Sequence, residues 1–152
     1  MENQSVKTKT KSNGITIKTL KNGIKSGLNT TWTLAKIIVT VYFIITFVKY
    51  TPLLDWIAIK CAPLMKIFGL PGEAAIALVL GNVINLYAAI GAIASLSLTA
   101  KQSTIIAVML SFSHSLFMES AVAKKTGISV VLVLLIRFSL AIISGILLNL
   151  IL

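Results

Sequence analysis

The sequence predicts an all-α integral membrane protein, and three observations carry that expectation. Hydrophobic residues make up 57% of the chain and charged residues only 12%, against about a quarter charged in a soluble domain. The apolar residues arrive in long blocks rather than at the alternating spacing of a soluble core. A Gly-Leu-Pro-Gly-Glu elbow, Gly69 to Glu73, feeds the longest uncharged block, Ala74 to Ala100. At about 20 residues per crossing, 152 residues hold about four transmembrane helices.

The elements follow in order. Residues 1–14 are polar and lysine-rich, a composition that does not support a packed core. Ile17, Leu20, Ile24, Leu28 and Trp32 then recur every three or four residues, with Lys18, Lys21 and Lys25 off that stripe. This is the pattern of a basic amphipathic helix lying in the headgroup layer. Residues 1–31 thus read as a basic tail and amphipathic helix, and residues 32–152 as the membrane domain. The first span is expected from Trp32 to Tyr50, with Trp32, Lys49 and Tyr50 as interface anchors. Thr51-Pro52 ends it, because a residue before proline avoids helical angles.

Residues 53–68 carry a helical apolar stripe but also Asp55, Lys60, Lys66 and an internal Pro63. A short re-entrant or interfacial helix fits better than a crossing. The elbow follows as a turn. Three further spans are expected over Ala74 to Ala100, Ser103 to Ala121 and Ile128 to Leu152. Six lysines before residue 26 place the N-terminus in the cytoplasm, in the cell membrane of a multi-pass protein. Four spans bring the C-terminus back to the cytoplasm and put Lys124 and Lys125 on the opposite side, against the positive-inside rule. A crossing by residues 53–68 removes that objection and moves the C-terminus outside.

Candidate chemistry sits at polar residues inside the spans. Glu73 at a helix start is stabilised by free amides and the helix dipole, as a cap or as part of a cation or donor site at a broken helix. On a continuous helix, Ala77, Gly81 and Asn85 lie below Glu73 one turn apart. Asn82, Asn85, Ala89 and Ala92 form a second stripe. Small residues permit close helix approach, and asparagines in hydrocarbon need partners, from another helix or a solute. Ser111, Ser115 and Glu119 share a face of the next span, while His114 and Glu119 meet only if that helix is broken or unwound. Arg137 in the last span is expected to point inward and pair with Glu119 or Glu73, the alternative being snorkelling to headgroups.

Other classes are disfavoured. There is no Ser-His-Asp order, P-loop or nucleotide fingerprint, so no enzyme is expected. Cys61 is the single cysteine and His114 the single histidine, so neither a metal site nor a cofactor is expected. The net charge of +10 reads as attraction of the N-terminus to anionic membrane lipid, with no folded basic domain for nucleic acid.

The run Gly69-Leu70-Pro71-Gly72-Glu73, then Gly81, then His114-Ser115-Leu116-Phe117-Met118-Glu119, Gly127 and Arg137 resembles the nucleoside-recognition or Gate domain family. The resemblance covers roughly residues 40–150. That module recurs in concentrative nucleoside transporters, in the membrane part of ferrous-iron transporter B, and in spore maturation proteins A and B. It implies a membrane role and, in the transporter members, a substrate site between paired, inverted modules. This chain carries one module and no GTPase domain. The resulting expectation is half of a dimeric transporter for a small polar solute or ion, paired with a second copy or with a Gate-like chain of opposite orientation. The alternative is a membrane scaffold or assembly factor without transport.

Overall fold

The computed structural model describes residues 17–152, and the expectations for the tail before Ile17 lie outside it. The described residues form seven helices and no strand: α1 Ile17–Val48, α2 Pro52–Lys66, α3 Ala74–Val83, α4 Leu86–Ser95, α5 Ala100–Phe112, α6 Leu116–Lys125 and α7 Val130–Ile151. Three stretches are long and apolar enough to cross a membrane: Ile17–Val48, Ala100–Lys125 and Val130–Ile151. The all-α membrane architecture read from the sequence is therefore present. The chain divides into two compact units at Thr33/Leu34. The first is the opening half of α1, with Ile17, Leu20, Ile24, Leu28 and Trp32 all exposed. No helix boundary separates an amphipathic helix from a first span, since α1 runs through Trp32 unbroken.

The second unit, Leu34–Leu152, is built on turns that the sequence spells out. Pro52 opens α2 where its missing N–H costs nothing. Gly69 closes α2 at a φ of 65°, with Leu70 N–H donating to Met65 C=O and Gly69 N–H to Lys66 C=O. This double bond around a left-handed glycine is the Schellman stop. Gly127 ends α6 the same way, at a φ of 77°, with Ile128 N–H donating to Ala123 C=O.

The block Ala74 to Ala100 is not one span, which corrects the sequence reading. It is two ten-residue helices, α3 and α4, broken at Ile84-Asn85. They pack closely side by side. Each is about 15 Å long, half the hydrocarbon thickness. Gly81 lets them meet: a Cβ there would sit 3.1 Å from Ala89 Cβ and 2.6 Å from a Leu110 methyl. Asn85 takes an extended backbone and accepts a hydrogen bond from Ala88 N–H at 2.9 Å, capping α4. The expected stripes running through Glu73, Ala77, Gly81 and Asn85, and through Asn82, Asn85, Ala89 and Ala92, are cut by this break.

The next expected span is also broken, at Ser113-His114-Ser115, and starts at Ala100 rather than Ser103. Thr99 and Gln102 form a reciprocal capping box at its start. Ser115, the only non-glycine residue at positive φ among those described, sits at φ 50°, ψ 43°. This cuts the expected Ser111, Ser115, Glu119 face.

Contacts fix the running directions within this unit. Asn149 Nδ2 reaches Ile67 C=O at 3.4 Å, and Lys101 Nζ donates to Asn149 C=O at 2.9 Å. The elbow, the start of α5 and the end of α7 therefore share one end of the unit. Lys49 Nζ donates to Ser95 C=O at 2.9 Å, placing a cation at the α4 C-terminus. The chain thus descends α3 from the elbow end to the break, returns along α4, and only then crosses by α5 and α6. The buried core lies between the elbow end and the breaks: Met65, Phe68, Leu70, Ala74, Ala77, Ala89, Leu96, Ile105, Ile106 and Leu110 belong to it. On the far side α6 buries Ala123 alone.

Candidate functional site at two helix breaks

The two breaks meet. Ser115 N–H donates to Gly81 C=O at 2.9 Å, so the α5–α6 joint is hydrogen-bonded to the end of α3. Each break frees backbone groups that a continuous helix would satisfy, and buried groups of this kind require partners. The partners are backbone amides, Ser115 N–H on Gly81 C=O and Ser113 N–H on Met109 C=O, together with polar side chains. Ser113, 3% exposed, places its hydroxyl 3.3 Å from Met109 C=O. His114 Nδ1 lies 2.8 Å from Leu110 C=O, which requires the proton on Nδ1. In the neutral ring Nε2 is then an acceptor.

Arg137, from α7, reaches across to both halves of the broken crossing. Its guanidinium donates to Phe112 C=O at 3.1 Å, the last carbonyl of α5, and forms an ion pair with Glu119 in the first turn of α6. Glu119 gains further from the positive end of the α6 dipole. The two side chains are 33% and 23% exposed for Arg137 and Glu119. Glu119 Oε2 contacts the guanidinium without the alignment of a hydrogen bond, so we treat the contact as electrostatic.

Asn82 lies next to Gly81. Its amide Nδ2 donates back to Leu78 C=O at 2.8 Å, and its Oδ1 is buried with no hydrogen-bond partner. A buried amide oxygen left unpaired costs about 1–3 kcal/mol. Asn82, His114, Ser115, Glu119 and Arg137 are thus gathered around the two breaks. The free capacity there is mostly acceptor: Asn82 Oδ1, His114 Nε2 and the Glu119 carboxylate. Such a set suits a ligand that donates, either a hydroxyl- or amine-bearing solute or a cation. No cluster of metal-binding side chains occurs among the described residues.

Other sequence candidates lie elsewhere. Asn85 is committed to capping α4. Glu73 stands at the N-cap of α3 without a side-chain capping bond, so it is not the cap expected from its position. It is also a full half-helix away from Asn82, about 13 Å along α3. Gly69, Pro71 and Gly72 shape the elbow and not the site: a Cβ on Gly69 would overlap the Asn149 side chain, and one on Gly72 the Ala58 carbonyl. Ser113 went unnamed in the sequence reading, although a Ser-His-Ser run inside an apolar span is itself a signal of interruption.

The fold and site define a small helical membrane module built on a re-entrant helical hairpin and an interrupted crossing. The chain belongs to the Gate family, described as nucleoside recognition, whose model matches residues 31–129. It is 50% identical over 129 residues to "Uncharacterized membrane protein YvoD" of Bacillus subtilis (strain 168), covering 85% of this chain and 41% of that protein. It is 43% identical over 60 residues to "Inner membrane protein YjiG" of Escherichia coli (strain K12), covering 40% of this chain and 39% of that one. The chain thus spans about two fifths of the length of the curated relatives it matches. No solved structure matches it.

Proposed function

We propose that this chain is one half of a two-module membrane transporter for a small polar solute or cation, with the paired breaks as its binding site. The observation that carries the reading is the buried, unpartnered Asn82 Oδ1 beside the Ser115–Gly81 joint. Interrupted helices at membrane depth are tolerated where they line a cavity or are buried in protein, and they hold the substrate in many transporters. The pairing rests on two further points. The α3–α4 hairpin reaches only halfway across the membrane, leaving the other half to a second module. The 129 matched residues make up 41% of the Bacillus relative, which is therefore about twice as long as this chain and has room for such a module. A partner of opposite orientation fits better than an inverted copy, because the lysine bias fixes one orientation for this chain.

The test is uptake into vesicles from cells of the native host, where a partner chain is present, with the full chain expressed or deleted, using a panel of radiolabelled nucleosides, amino acids and monovalent cations. Asn82→Leu, His114→Ala and Glu119→Gln should each cut uptake of the transported solute at least tenfold. Asn82→Leu should leave abundance unchanged, because it removes an unsatisfied polar group. Uptake equal to that of vesicles without the protein, across the whole panel, overturns the transport reading. Wild-type uptake in all three variants overturns the site. A scaffold would instead lose function through changes on exposed faces, such as Phe117 and Met118 on α6.

A further inference from the structure

We infer that the paired breaks are reached from the cytoplasm, with the elbow half of the module forming the seal toward the outside. The inference rests on the site proposed above and adds the direction of access to it. Two independent features of the chain carry it.

The first is the distribution of buried mass. The closed core runs through α3, α4, α5 and the later part of α7, from the elbow to the level of the breaks. Ala74, Ala77, Ala88, Ala89, Ala92, Ile105, Ile106 and Leu110 are wholly buried there. The elbow end is closed by backbone: Gly72 packs so tightly on Ala58 that no Cβ fits, and Gly145 lies where a Cβ would meet Met109 Sδ at 2.7 Å. No path for a polar solute follows such a dry layer. Beyond the breaks the picture reverses. α6 buries only Ala123, so the dry layer stops at the breaks. His114, Ser115 and Arg137 are only partly buried, while Asn82 Oδ1 and Glu119 Oε2 are buried.

The second feature is charge. With α3–α4 returning to the side it came from, the chain crosses three times, by α1, by α5–α6 and by α7. Lys124 and Lys125 at the end of α6 then fall on the side opposite the elbow, the side from which residues 34–48 of α1 run toward Lys49. Every lysine up to Lys36 precedes or opens that first crossing in sequence. Counted by sequence order alone, nine lysines precede or open that crossing or close the next one, against four, Lys49, Lys60, Lys66 and Lys101, between the two. Two of those four cap helix ends, Lys49 on Ser95 C=O and Lys101 on Asn149 C=O. The acidic Asp55 and Glu73 also belong to the elbow end. By the positive-inside rule the α6–α7 connector is cytoplasmic and the elbow external. The four-span difficulty with Lys124 and Lys125 disappears, and Leu152 moves to the outside.

The single cysteine makes the test direct. In a Cys61→Ala background of the full chain, single cysteines replace Lys66, Lys124 and Ser115 in turn. A membrane-impermeant maleimide is applied to intact cells and to inverted membrane vesicles. Lys66→Cys should react in intact cells, and Lys124→Cys only in inverted vesicles. Ser115→Cys should react at least tenfold faster in inverted vesicles. Reaction of Lys124→Cys from outside overturns the sidedness. Reaction of Ser115→Cys at equal rates from both sides, from outside only, or from neither side overturns the access. Uptake measured on the Cys61→Ala parent separates the two questions: a parent that moves no solute removes the transport reading, and the labelling pattern still decides the direction.

Discussion

The two ends of the re-entrant hairpin are held by opposite means. The elbow end is steric: Gly72 lies against the Ala58 backbone, and Gly69, in a left-handed conformation, lies against Asn149. The break end is polar: Asn85 caps α4, Arg137 bridges Phe112 and Glu119, and Ser115 bonds to Gly81. One end is held chiefly by glycines that admit close approach, and the other by hydrogen bonds and an ion pair. The difference fits the roles proposed for the two ends, a seal of close backbone contact and a site of groups that can exchange partners.

The contrast sets the order in which mutations should hurt. Gly72→Val forces a side chain into the Ala58 carbonyl, with no rotamer to escape, and should cost about 3 kcal/mol or more. Loss of folded protein in detergent, read as a collapse of the monodisperse peak, is the measurement; normal abundance would mean that the elbow has room for a side chain beside Ala58. Arg137→Ala leaves Glu119 and Phe112 C=O without their partner at once. We expect about 2 kcal/mol, below the value for fully buried pairs, because both side chains keep some exposure. The double variant Arg137→Met with Glu119→Gln should recover more than half of the lost melting temperature, and no recovery would show that the pair is not coupled. Asn85→Ala removes one cap and should cost about 1 kcal/mol, while Asn85→Asp or Asn85→Ser should retain most of the stability. Equal melting temperatures for all three would sever the cap from the break.

Much of the elbow end was legible. Gly69-Leu70-Pro71-Gly72 announces a turn, and the apolar blocks announce the membrane. Pairing of Arg137 with Glu119 was one of two choices offered by the sequence, and the structure selects it. The breaks were not read, because hydrophobic length measures how apolar a segment is and not whether it turns back. Two half-helices of ten residues have the composition of one crossing. The punctuation was nonetheless present: Asn85 stands just before an apolar run, and Thr99 with Gln102 spells a capping box. The close approach of Gly72 to Ala58 is tertiary and carries no local signal.

The joint between Ser115 and Gly81 joins main chain to main chain. An alanine scan of the whole protein would not report on it, since Ser115→Ala leaves the amide in place and Gly81→Ala disturbs the packing on Leu110 and Ala89 instead of the bond. The most direct link between the two interrupted helices would then stay invisible in any map built from side-chain substitutions. Replacing the Ser115 amide by an ester, which deletes the donor and keeps the side chain, is the experiment that would make it visible.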